Sequence, residues 1–367
     1  MRIVVVGGGV LGTMHAWHAV QRGHEVVHLE REAEARGASV RNFGLVWVSG
    51  RAEGPELATA LRARQLWEEI GARVPGVGFR GNGSLTLCRT EAELEVAEAA
   101  LATASAATRG WRLLSPAETR AVNPALRGSF LGALHCALDG AVESRVALPA
   151  VRAALTASDR YTWLPGREVR TVSPGVVDDH GETHDGDQVV LATGAALSGL
   201  VRELAPALPV RRVWLQMAQT EPLGEPLTTS VADADSFRYY PAYDAAPLAG
   251  QPQPPVAAEH AMQLLMVQRL DGGLTIGDTH AYAEPFPFDQ LEAPYDHVTQ
   301  VASELLGRPL PRIVRRWHGV YAQCLDPAAV AHRSQVRPGV WLVTGPGGRG
   351  MTCSPAIAEQ TAEELAW

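Results

Sequence analysis

The sequence predicts an α/β protein, α+β overall, in which a Rossmann-like dinucleotide-binding domain is joined to a second domain built on an antiparallel sheet. Three observations lead there. Gly7, Gly9 and Gly12 follow the apolar run Ile3 to Val6, and Glu30 closes a second apolar run eighteen residues beyond Gly12. A second glycine-rich turn, Gly345 to Gly350, follows another apolar run near the other end of the chain. Between them, from Pro209 to about His318, strand-like segments surround an Asp-Gly-Gly hairpin turn at 271 to 273.

Arg2 to Val6 reads as a buried parallel strand, and Gly7 permits the sharp turn from it into a helix. At Gly9 the missing side chain lets the backbone approach a pyrophosphate, which the free N–H groups of the helix N-terminus attract. Gly12 lets the helix pack closely on the strand. Val10, Leu11, Met14, Trp17 and Val20 keep a helical period, and Gly23 stops the helix. A second strand, Glu25 to Leu29, leads to Glu30, an acid placed to accept both ribose hydroxyls and to repel a 2′-phosphate. Three glycines alone match many loops by chance; strand, helix, strand and acid in register make the pattern specific.

The segment Gly37 to Gly44 is small, polar and glycine-bounded, as a ligand-facing loop would be. Gly83 to Cys88 alternates as a strand, Glu91 to Thr108 reads as an Ala- and Glu-rich helix, and Ala147 to Leu155 as another. Strands are expected near Glu168 to Val172 and over Gln188 to Ala192. The latter ends in the small residues Ala192, Thr193 and Gly194, which a backbone passing close to a ligand requires. Val213 to Thr220, Leu264 to Leu270 and Leu274 to Asp278 are the predicted antiparallel strands, and the Pro-rich stretch Pro247 to Pro255 a surface loop. Val340 to Thr344 is again a strand, followed by the glycine turn and a helix from Pro355 to Leu365. A helix N-terminus aimed by glycines is a second site for an anion or dipole.

Composition narrows the function classes. At 367 residues with 46% hydrophobic content, two domains or one large one are expected. A net charge of −8 argues against a general nucleic-acid binder. All 32 basic residues are Arg, which excludes a Schiff-base lysine on this chain. The cysteines at 88, 136, 324 and 353 show no CxxC spacing and the 12 histidines no ligand spacing, so no metal site is expected. No apolar run reaches the ~18 residues of a membrane span. With the first strand beginning at residue 2, no signal peptide is expected, and a cytoplasmic protein with reduced thiols is.

Taken together, these segments resemble the flavoprotein superfamily of D-amino-acid oxidase, glycine oxidase and sarcosine oxidase, over essentially the whole length. The resemblance implies FAD, expected to be non-covalent because Gly319 stands where a sarcosine oxidase carries its tethering cysteine, in a discontinuous FAD-binding domain of residues 1–80, 141–208 and 319–367. The substrate domain would comprise 81–140 and 209–318, with the active site at the interface. Gly7, Gly9, Val10, Leu11, Gly12, Glu30 and Arg31 would hold the ADP half, while Ser39, Asn42 and Gly44 lead past the pyrophosphate. Val169, Ala192, Thr193 and Gly194 complete that set, and Gly345, Gly347, Gly348, Gly350, Met351 and Thr352 approach the isoalloxazine ring.

The implied reaction moves a hydride from the carbon beside an amine to flavin N5. The imine hydrolyses to an aldehyde or keto acid plus ammonia, and O2 is reduced to H2O2. The flavin does the hard chemistry, so no strong base is required and no acid or histidine stands out as one. In sarcosine oxidases a cysteine tethers the flavin; Gly319 stands at that position here, with Cys324 the only nearby alternative. An anionic substrate needs a fixed cation, and Arg41 and Arg349 rank first for it, ahead of Arg269 and Arg238. Tyr240 and Tyr321 are candidate hydroxyl donors, and Trp47 and Trp317 either wall the pocket or fill the core. The run Arg41 to Trp47 resembles a branch associated with aminophosphonate metabolism, which implies a 2-aminoethylphosphonate-like amine; Val48-Ser49-Gly50-Arg51 departs from that branch's Pro-containing pattern. The rivals are an FAD dehydrogenase of a hydroxy acid or secondary amine, an NAD-dependent dehydrogenase, and an FAD-binding accessory protein with little turnover.

Overall fold

A computed structural model describes residues 1–172 and 175–367. The strand Arg2–Val6 lies inside a six-stranded sheet, between Gln188–Leu191 and Glu25–Glu30, and pairs with both in parallel. Tyr161–Pro165 adds a parallel edge beyond Glu25–Glu30, and Val340–Thr344 with the antiparallel His332–Arg337 completes the other side. Ile3 to Val6 are buried on both faces of the sheet, as parallel strands require. On one face the helix Val10–Gln21 packs against Gly350–Glu364, which in turn packs on Pro55–Arg73. Eleven of the twelve residues of Val10–Gln21 are buried, so this helix is a core element, not an amphipathic cover.

Three expectations are corrected here. The strand expected near Glu168 to Val172 lies outside this sheet: Val169–Val172 pairs antiparallel with Val176–Asp178 in a separate three-stranded sheet. The parallel edge is Tyr161–Pro165 instead, and the chain leaves it at Gly166 with a left-handed φ of 67°. The helix predicted over Glu91 to Thr108 stops at Leu101, where the Thr103 hydroxyl donates to the Ala100 carbonyl; a short helix Ala106–Arg109 follows. The last helix begins at Gly350, five residues before Pro355. Proline lacks the N–H that would meet the Met351 carbonyl. The Trp67 indole donates to that oxygen at 2.9 Å instead, so the helix continues through the proline.

The second sheet has eight strands in the order Ile313–Cys324, Val210–Pro222, Gly273–Gly277, Leu265–Gln268, Ser230–Asp233, Ser84–Cys88, Gly132–Cys136 and Trp111–Leu114. Every neighbouring pair is antiparallel except Ser230–Asp233 with Ser84–Cys88. Leu265–Gln268 and Gly273–Gly277 form the hairpin around the Asp-Gly-Gly turn, with Gly272 at φ 85°. Ile313–Cys324 stays in this sheet throughout, across the expected boundary at 319. The stretch Pro247 to Pro255 is partly built in, with a 3-10 turn over Ala246–Gly250 that buries Leu248. Among the described residues no helix is long and apolar enough to cross a membrane.

Candidate active site

A cleft of about 1610 Å³ opens between the carboxyl ends of the parallel strands and the inner face of the eight-stranded sheet. Crevices at strand carboxyl ends are where α/β sheets bind ligands, because the turns there leave backbone groups unpaired. At one end lie Gly7, Gly9, Val10, Leu11, Glu30, Arg31 and Ser39; Val169, Ala192, Thr193 and Gly194 follow. Asn42 and Arg41 line its middle and Gly347 to Thr352 its far side.

The first turn is tightly constrained. A Cβ on Gly12 would collide with the Gly7 carbonyl oxygen, and one on Gly7, at φ 107°, with the Ala192 carbonyl. His28 pins the same turn. Its Nε2 donates to the Gly7 carbonyl at 2.9 Å, and its Nδ1 faces the Tyr161 hydroxyl at 2.9 Å. Burial pushes the His28 imidazole down to about 3, so it stays neutral in that role. Gly9, the N-cap of the helix, offers no capping side chain and no acid follows in the first turn. The Ser39 hydroxyl accepts from Val10 N at 2.9 Å, which brings the loop after Glu30 against the helix start. Glu30 holds Gly8 N at 2.6 Å. The turn therefore fits an extended dinucleotide: bare glycines, a helix N-terminus with no N-cap side chain and no acid in its first turn, and a carboxylate at the ribose position.

The C-terminal turn mirrors it. The helix Gly350–Glu364 also starts without a side-chain cap or an acid in its first turn. A Cβ on Gly348 would lie 3.6 Å from the Tyr239 hydroxyl and 3.8 Å from that of Tyr321, an ordinary contact distance. Both tyrosines line the cleft, and the Tyr321 hydroxyl is buried without a protein partner. So are Trp47 Nε1 and Asp278 Oδ1, whose residues also line the cleft. A ligand bound in the cleft would be within reach to supply partners for these three atoms.

Several predicted site residues stand behind the cleft wall. Gly12, Gly44 and Gly345 shape it without lining it: a Cβ on Gly44 would strike the Val142 carbonyl, and one on Gly345 the Cys324 sulfur at 2.8 Å. Asn42 spends its amide within its own loop, donating to the Ala38 and Ser39 carbonyls and accepting from Gly44 N. Thr352 accepts from Trp47 N at 2.9 Å.

The arginines considered for the substrate anion all donate to main-chain carbonyls. Arg269 lies outside the cleft, donating to the Phe43 and Val142 carbonyls beside Glu143. Arg41 donates to the Arg36 and His318 carbonyls, which fastens its loop to the large sheet. Arg238 donates to the Leu248 and Gln251 carbonyls. Arg349 donates to the Pro346 and Ala329 carbonyls and pairs with Glu56 at 2.7 Å. Each of these guanidinium groups is committed to the fold.

Arg51, absent from the predicted set, is differently placed. It lines the cleft at 5% exposure, with one donation to the Trp47 carbonyl at 2.9 Å and Glu56 at 3.6 Å. Its guanidinium lies 5.7 Å from the centre of the Tyr240 ring. The loop that carries it is clamped from behind. Asp139 accepts from Val48 N, Ser49 N and the Ser49 hydroxyl, and Arg109 donates to the Val48 and Ser49 carbonyls. The one available sequence signal was Gly50, where a Cβ would overlap the Tyr240 ring. Beyond Tyr240, Tyr239 stacks on His280 at 4.4 Å between ring centres, with Asp278 alongside.

Among the described residues one group has metal-ligand geometry: Asp178, Glu182 and His184. The Arg167 guanidinium bridges both carboxylates, at 2.8 and 3.1 Å, so the cation position is filled by protein.

A cleft walled by two glycine turns, between a mostly parallel sheet and a mostly antiparallel one, suits a protein that works with an extended dinucleotide. Comparison with known proteins gives the family: the chain belongs to the DAO family, FAD dependent oxidoreductase, matched over residues 2–364. It is 24% identical over 389 residues to one of the subunits of opine oxidase from Agrobacterium tumefaciens, covering 98% of this chain and 93% of that protein. The same subunit of the Rhizobium meliloti opine oxidase is 25% identical over 241 residues, 60% of this chain and 63% of that one. Among solved structures, glycine oxidase from Bacillus cereus superposes with a TM-score of 0.79 at 18% identity, covering 100% of this chain and 94% of that one. The protein is thus an FAD-dependent oxidoreductase, and an NAD-dependent dehydrogenase is excluded.

Proposed function

We propose that the protein oxidises a small amine carrying an anionic group, of the 2-aminoethylphosphonate kind, to an imine that water converts to a carbonyl compound and ammonia. Arg51 is the observation that carries this reading. It is a buried guanidinium facing the cleft from a clamped loop, and its planar fork suits carboxylate or phosphonate oxygens. FAD, when bound, supplies the hydride acceptor, and O2 takes the electrons in turn. The residues of the two glycine turns, with Glu30, Arg31, Ser39 and Ala192 to Gly194, would hold it. Arg51 orients the anionic end, and the apolar wall of Trp47, Leu215, Met217 and Leu265 keeps water from the reacting carbon. The names of the relatives, opine oxidase and glycine oxidase, support amine oxidation.

The test is anaerobic bleaching of the flavin by a panel of 2-aminoethylphosphonate, its N-methyl derivative, glycine and sarcosine. Bleaching by at least one is expected, and bleaching by none overturns the reading. Admission of air should restore the colour within the turnover time and form peroxide; slow recovery would replace O2 with another acceptor.

The same reading has FAD bound non-covalently. Gly319 offers no nucleophile, and Cys324 is buried outside the cleft lining, its thiol raised by burial. Acid precipitation should release the yellow colour to the supernatant; colour retained in the pellet would show a covalent bond. All four cysteines are buried and free, which suits a reducing cytoplasm.

A further inference from the structure

The large sheet delivers a carboxylate and an imidazole to the cleft at one point. After the strand Gly273–Gly277, Asp278 N donates to the Gln263 carbonyl and His280 N to the His260 carbonyl. Thr279, between them, turns its hydroxyl to Gln216 N at 2.9 Å. Asp278 and His280 both line the cleft, with His280 Nε2 3.6 Å from Asp278 Oδ2, while Thr279 is turned to the sheet. They are 7% and 6% exposed.

Hydrogen bonding sets the imidazole's tautomer. Nδ1 lies 2.9 Å from the Ala261 carbonyl, which can only accept, so Nδ1 carries the proton in the neutral ring. Nε2 then presents its lone pair, 3.6 Å from Asp278 Oδ2. Two acceptors face each other across a gap too long for a hydrogen bond, and Asp278 Oδ1 has no protein partner. Burial pushes the Asp278 carboxyl up. The other titratable groups around the pair are the hydroxyls of Tyr239, Tyr240, Tyr282 and Tyr321; Arg51 stands beyond Tyr240 and Arg211 beyond Tyr282. Among the described residues no cationic N–H donor contacts the pair.

We infer that Asp278 and His280 are the amine end of the site: the Asp278 carboxylate receives the substrate's ammonium group, and His280 Nε2 accepts its proton. This rests on the amine-oxidation reading above. One ammonium N–H bond breaks and one Nε2–H bond forms. The positive charge passes from substrate to imidazolium, where Asp278 Oδ2 already faces it, and the neutral amine left behind can release hydride. Arg51 lies against the Tyr240 ring and His280 against the neighbouring Tyr239 ring, and all four residues line the cleft.

The test uses the holoenzyme under anaerobic conditions, with 2-aminoethylphosphonate and, as a probe lacking the amine, ethylphosphonate. Binding is read as a shift of the flavin absorption. Asp278→Asn should weaken the amine-bearing probe at least tenfold and leave ethylphosphonate unchanged; equal effects on both would overturn the proposal. In His280→Gln the bleaching rate near pH 7 should fall about 100-fold and regain tenfold per pH unit as the free amine becomes available. A pH profile identical to the parent's overturns the proton-transfer role. If Asp278→Asn does not retain flavin, His280→Gln decides alone. Bleaching of the parent protein by no amine removes both the oxidation reading and this one, whereas bleaching with both variants unaffected removes only this one.

Discussion

Among single residues, Arg51 matters most because it faces the cleft from a buried position, with one main-chain bond and Glu56 at 3.6 Å. Four other arginines near the cleft are spent on main-chain carbonyls, while Arg51 makes one such bond. Charge-assisted bonds to an anion contribute about 1.5–3 kcal/mol. Arg51→Met should therefore raise KM for anionic amines by roughly 10- to 150-fold, with a smaller change in kcat. Steady-state kinetics on the best substrate of the bleaching panel checks this, and an unchanged KM would remove Arg51 from the binding site. Glu56 keeps Arg349 as a partner in this variant, so no carboxylate is left unpaired.

At the level of elements, the two glycine turns separate folding from cofactor binding. A Cβ on Gly12 meets the backbone of Gly7, so Gly12→Ala should lower the thermal midpoint of the protein even without flavin. Gly348 is different, since its neighbours leave ordinary contact distance and its φ is not left-handed. Gly348→Ala should fold normally and lose flavin, measured as the ratio of visible to ultraviolet absorbance after gel filtration. Loss of stability in Gly348→Ala, or normal flavin content, would contradict this division. The helix Gly350–Glu364 depends on a partner distant in sequence: Trp67 donates to the Met351 carbonyl that Pro355 leaves free. Trp67→Phe should cost about 1–3 kcal/mol in denaturant unfolding by leaving that acceptor buried and unpaired.

For the molecule as a whole, acid is the expected weakness. Burial holds His15 and His28 down to about 3 and His18 down to about 4, against 6.5 for an exposed imidazole. Below pH 6.5 the unfolded chain takes up protons that the folded chain refuses, so stability falls as pH drops, at about 1.4 kcal/mol per pH unit for each histidine. The loss should be steepest between pH 6 and pH 4.5 and absent between pH 7 and pH 8, as followed by thermal unfolding. Since His28 also pins the Gly7 turn, flavin release should accompany the decline.

The nucleotide half was legible because its signals are local. Gly7 to Gly12 and Glu30 sit at spacings that only one strand-turn-helix geometry satisfies, and the structure builds that geometry around them. The hairpin at 271 to 273 was legible for the same reason. The edge strand Tyr161–Pro165 was missed because edge strands are short and mixed in polarity, and the last helix was misplaced because Pro355 is tolerated through a side chain from another helix. The substrate end was the least legible. Arg51 stands in one local context and Asp278 and His280 in another, and their availability depends on which carbonyls and carboxylates lie near them. By itself the sequence determined that this protein holds a dinucleotide at a glycine turn, because backbone conformation is a short-range property. Only the tertiary structure decided which cation and which acid face the cleft, because that depends on packing and hydrogen bonds between segments far apart in the chain.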